Sequence, residues 1–464
     1  MLYCASSLSP SGEAMAEAKD INDSLQFLRY FEKYTESEDL LSVVQHKMEQ
    51  NSKTLDLIRH ELSEDDCKLL ADLAPLSQLK VLNLRETSLT TAGLQHLCMS
   101  PHLTGLNEFI IDNNNVDDDG LFFISKVKTF SQLKKLSVAS NEIGPVGMKA
   151  LALSETLTSL EYLDVSYNRV DAFGIKALAG SDLGSRLKSL NLADTGIGDE
   201  GLQKIAEGAP MEQLQSLNLS DNHLTDQGLE ALARSGVFPN LNNLNLDSNH
   251  VGDDGVYALA ESSLGAQLET LNLKCNGLTT DSALSIAQSK TLTGLIALDL
   301  NNNDLRAEGT EALAQSENSK HLERLDLGEN QLNAEGAQAL AQSPYLIQLK
   351  YLRLNDNNIS DQGVVAIAQS KTLTQMEELH LEQDNWIHAQ GAKAIAESTA
   401  LSSLKMLVLG LNQIGDEGAN YLADSKNLSN LAFLNVIGNK LTAAGEDALR
   451  YSENFPKMKT LELV

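Results

Sequence analysis

The chain has 464 residues and a formal charge of −29, from 35 Lys plus Arg against 64 Asp plus Glu. That balance argues against nucleic acid, whose binding relies on neutralising phosphates with basic groups, and against an anionic membrane surface. Hydrophobic residues make up 42% and aromatics only 5%, so any core is aliphatic and suits thin stacked layers better than one large globule. A basic or neutral protein partner is compatible with the charge, as is plain solubility of an extended molecule.

Residues 1–20, rich in Ser, Ala and Glu, read as a disordered N-terminus. The opening "MLYCASSLSPSGEAMAEA" lacks the basic and apolar regions of a secretory signal, and no segment approaches the ~20 apolar residues of a membrane span. Cys4, Cys67, Cys98 and Cys275 lie far apart without CxxC or Cys/His clustering, which reads as free thiols in a reducing, cytoplasmic setting. Over 21–51 two helices are expected. "DINDSLQFLRYFEKY" places Leu25, Leu28, Phe31 and Tyr34 at helical spacing, and "SEDLLSVVQHKMEQ" supplies the second with Ser37 as its cap. Together they are expected to form a helical N-terminal cap over the exposed end of a core that begins near residue 52. A separate recruitment module is the alternative, although no F-box motif is visible.

From residue 52 to 464 the chain keeps time. The pattern LxxLxLxxNxL starts at Leu79 and recurs at Leu106, Leu133 and onward to Leu404, Leu431 and Met458, every step being 27 residues except the 28 from Met376 to Leu404. A degenerate unit, "LDLIRHEL" at 55–62, precedes them, and the last unit is truncated, giving about 15–16 repeats. Within each, LxL alternates as a short strand with its leucines inward. Eight residues after the first apolar position stands Asn, in 11 of 14 complete repeats. Its amide is expected to satisfy backbone groups in neighbouring turns. Fourteen residues after stands Gly, missing in register only at Ser282 and in the 28-residue repeat, where packing or a special dihedral is expected to require it. "GxxALA" runs then predict a helix, with Asp199, Asp226, Asp253 and Ser360 as its N-caps.

Strand, turn and helix cannot bury their apolar faces alone, so the units are expected to stack. The expected fold class is α/β: a curved horseshoe solenoid with a parallel sheet on the concave face and helices on the convex face. The pattern resembles a leucine-rich repeat of the ribonuclease-inhibitor-like class. That class includes ribonuclease inhibitor, the Ran GTPase-activating protein and sensor regions of intracellular immune receptors, and the resemblance implies binding of proteins by the concave face or its rim. The uniform "GxxALAxS" cassettes are similar to bacterial members, including effectors that intracellular bacteria deliver into the host cytosol.

The most central concave position reads Asp or Asn seven times in succession, from Asp164 to Asp326, a hydrated and mildly acidic floor. Beyond it the outward positions become Arg324, Tyr351, Arg353, His380, Met406, Val408, Leu411, Phe433 and Ile437, types enriched at interface centres. Two other uses of that patch stand beside a partner site: cover by a further C-terminal segment, or a homo-oligomer contact through the end at "MKTLELV". The lone Trp sits in the 28-residue repeat, within "LEQDNWIHAQG". Placing the extra residue in Glu382-Gln383-Asp384 keeps Asn385 in the Asn column and Ile387 in the core, and puts Trp386 on the rim beside the patch. The expected function is a non-enzymatic scaffold holding a protein partner. Alternatives are a GTPase-activating protein of the Ran-directed type, whose functional residues do not map onto this chain, and the substrate-recognition arm of a ubiquitin ligase. The scattered His residues form no triad, and paired acids such as Asp117–Asp119 and Asp253–Asp254 fall at helix starts. No catalytic residue, metal ligand or cofactor is expected.

Overall fold

The computed structural model describes residues 40–463. The expected N-terminal disorder, the helix carrying Leu25, Leu28, Phe31 and Tyr34, and the Ser37 cap lie outside them. The second expected helix is present as Leu40–Gln50, which packs on the first strand and buries Leu40, Val43 and Val44.

Sixteen three-residue strands, from Thr54–Asp56 to Thr460–Glu462, form one open sheet in strict chain order, every pair parallel. The degenerate first unit takes its place, with Leu55 opposite Leu82. The register advances by one repeat per strand, and the one longer step pairs Glu378 with Met406. A helix follows most strands and packs on the helix of the next repeat. Helices need about 8–10 Å of lateral room and strands only ~4.8 Å, so the stack bends with its sheet on the inside. The central residue of each described strand but the last is buried, and the flanking residues, Ser137 apart, are exposed or half-exposed, as the LxL alternation requires.

The Asn column behaves as its chemistry demands. Asn222, with no exposed surface, donates from Nδ2 to the carbonyls of Leu192, Leu219 and Ser220, and accepts at Oδ1 from the N–H groups of Thr195 and Ile197. It thus ties its own turn to the preceding repeat. In Thr87 and Thr195, which replace Asn in this column, the hydroxyl keeps a single bond of this set, to the carbonyls of Leu84 and Leu192.

The helix starts differ from expectation. Thr225, Gly252 and Ile359 occupy the cap positions before Asp226, Asp253 and Ser360, and Ile197 precedes the helix that contains Asp199. The aspartates point the other way, into the following repeat. Asp199 accepts from Thr225 N (2.8 Å), Asp226 from Gly252 N and Gly255 N (2.7 and 2.8 Å), and Asp253 from Thr279 N and Ser282 N (3.0 and 3.1 Å). Each carboxylate caps its neighbour's helix, where N–H groups lack helical partners. Ser360 stays local, its Oγ accepting from Gln362 N. Asp117 is a true local cap, accepting from Asp119 N and Gly120 N.

This cross-repeat contact accounts for part of the Gly column, while elsewhere the close neighbour is apolar, as Val116 is at Gly120 and Ile197 at Gly201. At Gly255 a Cβ would stand 2.7 Å from Asp226 Oδ1, and at Gly147 it would stand 2.9 Å from Asp118 Cα. The requirement is close approach, not a left-handed dihedral. Ser282 fits the same column because its hydroxyl donates to Asp253, turning the obstacle into a bond. Burial works to raise the Asp253 pKa, but the donors from Ser282 and Thr279 prevail and hold it below the ordinary aspartate value.

Candidate interaction surface on the concave face

Paired strands place the concave side chains in rows across the sheet. Arg324 stands opposite Tyr351, and Tyr351 opposite Glu378, Met406 and Phe433 in turn. One step along the strands, Arg353 stands opposite His380 and His380 opposite Val408. The Arg324 guanidinium carbon lies 3.8 Å from the centre of the Tyr351 ring, a cation–π stack, and the Tyr351 and His380 rings approach to 5.1 Å. Guanidinium, phenol and imidazole therefore form one continuous layered surface.

Carboxylates surround it. Arg353 pairs with Glu382 at 3.1 Å, and His380 lies between Glu378 and Glu382, at 4.0 and 3.9 Å, ion-pair distances too long for hydrogen bonds. The imidazole beside Glu378 holds its carboxyl below the usual range. Burial opposes the charge of Arg353, yet Asp326 and Glu382 outweigh it and hold the guanidinium firmly protonated. Burial, reinforced by Asp326, pushes the Tyr351 phenol up, so it remains a neutral donor. Arg353 Nε, Asn355 Oδ1, His380 Nε2 and Glu382 Oε2 are buried atoms without a protein hydrogen-bond partner, gathered on two adjacent repeats.

The seven-residue Asp/Asn floor is half-buried throughout. Burial and the neighbouring Asp326 push Asp299 up to about 7. Since folding raises this pKa, the unfolded chain gives up the proton first as pH rises. Carrying an ionised Asp299 into the fold then costs stability that accumulates from about pH 4 to about pH 7. Asp299→Asn is expected to stabilise the protein near pH 8 and to leave it unchanged near pH 4, as paired urea denaturations would show. Equal effects at both values would contradict this account.

None of the ten residues singled out on the sequence is buried in the core. Arg324, Trp386 and Leu411 are exposed; Tyr351, Arg353, His380, Met406, Val408, Phe433 and Ile437 are half-buried. The apolar part is consequently less exposed than the residue types alone suggest, and Met406 and Phe433 stand side by side in register. Glu378 and Glu382, which complete the charged ring, were not singled out. Glu378 shares its column with Arg324 and Tyr351 and was readable, whereas Glu382 falls in the irregular turn of the 28-residue repeat.

That turn takes up its extra residue where expected. Gln383 and Asp384 both adopt left-handed backbone (φ 59° and 46°), and Asp356 N donates to the carbonyls of both Glu382 and Gln383. Asn385 and Ile387 keep their columns with no exposed surface. Trp386 stands 52% exposed, its indole N–H donating to Asn358 Oδ1 at 3.0 Å. Nearby on the rim, Leu411 is 58% exposed and left-handed (φ 58°), a conformation that costs a branched residue roughly 1 kcal/mol. Among the described residues, no group of three or more His, Cys, Asp or Glu is arranged to hold a metal ion, and no helix is long and apolar enough to cross a membrane.

A family model described as "Leucine Rich repeat" matches residues 132–152, 156–179, 186–206, 213–233, 239–260, 267–287, 292–314, 318–341, 348–368 and 400–423. No match was found among curated proteins. Similar solved structures include an internalin of Listeria monocytogenes, 19% identical over 86% of this chain and 88% of that one, with a TM-score of 0.43. A leucine-rich repeat protein of Leptospira interrogans is 20% identical over 83% and 96%, with a TM-score of 0.46. The ectodomain of an Arabidopsis thaliana receptor kinase, solved with Casparian strip integrity factor 2, is 16% identical over 89% and 58%, with a TM-score of 0.38. With its matched repeats and its single parallel sheet of strand-and-helix units, the chain is a leucine-rich repeat solenoid.

Proposed function

We propose that this solenoid is a non-enzymatic scaffold that holds a protein partner on the C-terminal part of its concave face and the adjoining rim. The Arg324–Tyr351–His380 stack supports this above all, a rigid, half-desolvated aromatic and cationic surface of the kind that supplies interface hot spots. Exposed Trp386 and Leu411 beside it add apolar contact at the rim. The partner-binding set is Arg324, Tyr351, Arg353, His380, Trp386, Met406, Val408, Leu411, Phe433 and Ile437, extended by Glu378 and Glu382. A helix in nearly every repeat supports placement in the ribonuclease-inhibitor-like class, and the uniform cassettes support a bacterial chain that acts in its own cytosol or a host's. Cys67 and Cys98 suit a reducing compartment: both are buried thiols pushed up to about 12, by burial first of all.

Tyr351→Ala, Phe433→Ala and Trp386→Ala are each expected to weaken partner capture by about 1–3 kcal/mol while leaving the circular-dichroism melt unchanged. Affinity capture from lysate, quantified by mass spectrometry for wild type and the Tyr351/Phe433 double variant, is the measurement. Equal recovery of the same proteins by both would sink the assignment.

A further inference from the structure

The turns that follow the strands form the rim of the concave face, and on the C-terminal repeats that rim carries acid without base. Equivalent positions read Asn302, Glu329, Asp356 and Asp384, and two residues further on Asp304, Gln331, Asn358 and Trp386, with no lysine or arginine among them. Glu329 N donates to the Asn355 carbonyl and Asp356 N to the Gln383 carbonyl, both at 2.8 Å, so these turns lie directly side by side. Steps of ~4.8 Å make the Glu329–Asp356–Asp384 row about 10 Å long. Among the described residues none of these three acids forms an ion pair. The neighbouring cations are already engaged, Arg306 by Asp304 at 2.7 Å, Arg353 by Glu382 at 3.1 Å and Arg324 by the Tyr351 ring, while His388 faces Asp361 at 3.6 Å. The next lysines along the rim, Lys274 and Lys440, stand two repeats away at either end.

Asn355, only 2% exposed, stands beside this row and leans over the bare Cα of Gly328, where a Cβ would collide with its Oδ1. Its Nδ2 reaches Glu329 at 3.5 Å, yet Oδ1 receives no hydrogen bond from the protein, and neither does Glu382 Oε2 in the next repeat. Buried acceptors left open in this way await a donor. The half-exposed Trp386 indole is fixed by its N–H to Asn358, so the ring is laid from its own turn, which carries Asp384, towards the preceding one, which carries Asp356. Burial, with the charge of Asp384 alongside, pushes the Asp356 carboxyl up, as two carboxylates with no cation between them should behave.

Given the partner surface proposed above, on which this step rests, we infer that the partner meets this rim with a basic segment, one arginine or lysine of which lies over the Trp386 indole between Asp356 and Asp384. Charge complementarity selects that occupant. A cation answers the unopposed acids and stacks on the aromatic ring that binds cations best, and the several N–H groups of a guanidinium suit open acceptors such as Asn355 Oδ1 and Glu382 Oε2. An acidic or neutral segment would leave all of them unanswered.

The probes are a labelled octapeptide alternating Arg with Gly and its neutral twin carrying citrulline for Arg, each titrated with the purified full chain and read by fluorescence anisotropy. Wild type is expected to bind the arginine peptide at least about tenfold more tightly than its twin, and to lose that preference at high salt. Asp356→Asn/Asp384→Asn is expected to weaken binding about tenfold and Trp386→Ala about fivefold. Glu200→Gln/Asp254→Asn removes the same charge from exposed positions on the convex helices and is expected to change binding by less than about twofold. An unchanged thermal melt verifies the fold of each variant. No binding by wild type, equal binding of both peptides, rim variants that bind like wild type, or a convex variant that loses as much as they do would overturn the inference. A failed titration beside continued loss of lysate partners by the Tyr351/Phe433 double variant removes the basic segment and keeps the partner surface. Peptide binding lost only in the rim variants, beside unchanged lysate recovery by that double variant, keeps the cation site and removes the partner surface.

Discussion

Asn222→Leu is expected to lower the stability of the central repeats by about 4 kcal/mol, although the two side chains are similar in size. The leucine would leave the N–H groups of Thr195 and Ile197 and the carbonyl of Leu192 without the amide that now satisfies them, in a position with no exposed surface. Each such orphan costs about 1–3 kcal/mol. Asn222→Thr provides an internal comparison. Threonine already occupies this column at 87 and 195, where its hydroxyl keeps one carbonyl bond, so the loss should be about half as great. Denaturant midpoints report the sum, and amide exchange at Thr195 and Ile197 reports the site itself, an important distinction in a stacked array with several cooperative units. Exchange rates unchanged from wild type in Asn222→Leu would show that water or rearrangement satisfies these groups instead.

Gly147→Ala carries the second large effect. The added methyl would meet Asp118 Cα at 2.9 Å, and backbone cannot swing away as a flexible side chain can. Separating the helices Asp118–Lys126 and Pro145–Ala152 also lengthens the bond from Gly144 N to Asp118, now 2.7 Å. A loss of roughly 2–3 kcal/mol is expected. Gly180→Ala serves as the control, because nothing lies within 4 Å of its Cβ direction and its φ of −113° suits alanine. Matching urea midpoints for the two variants would refute the steric account.

The fold was legible because the repeat is strict: a period-2 strand, an Asn column and a Gly column recurring in register leave few alternatives, and even the extra residue at 382–384 could be located by asking which columns must survive. The candidate surface was legible for the same reason, since strand alternation alone decides that Tyr351 or Phe433 faces outward. Contacts that depend on a side chain's direction across the repeat boundary were not. Asp226 sits beside its own helix start in sequence, so a local cap was the natural expectation. Only the bend of the stack shows that its carboxylate reaches Gly252 and Gly255.

The two kinds of cross-repeat bond run in opposite directions along the array. Asparagine amides reach back to the preceding unit, as Asn222 does to Leu192, whereas aspartates such as Asp199 reach forward to the next. Where both operate, a junction is laced twice and neither neighbour can peel away without breaking a bond from each side. The forward lace is not present everywhere. Asp361 supplies it to His388 and Gly391, but alanine stands at its position in the two preceding repeats, Ala307 and Ala334. The array is therefore a chain of unequal links, and the junctions around Asp199, Asp226 and Asp253 form a doubly bonded middle. The singly laced stretch next to it lies beneath the first residues of the proposed partner surface, so a bound partner would brace the links that hold least well by themselves.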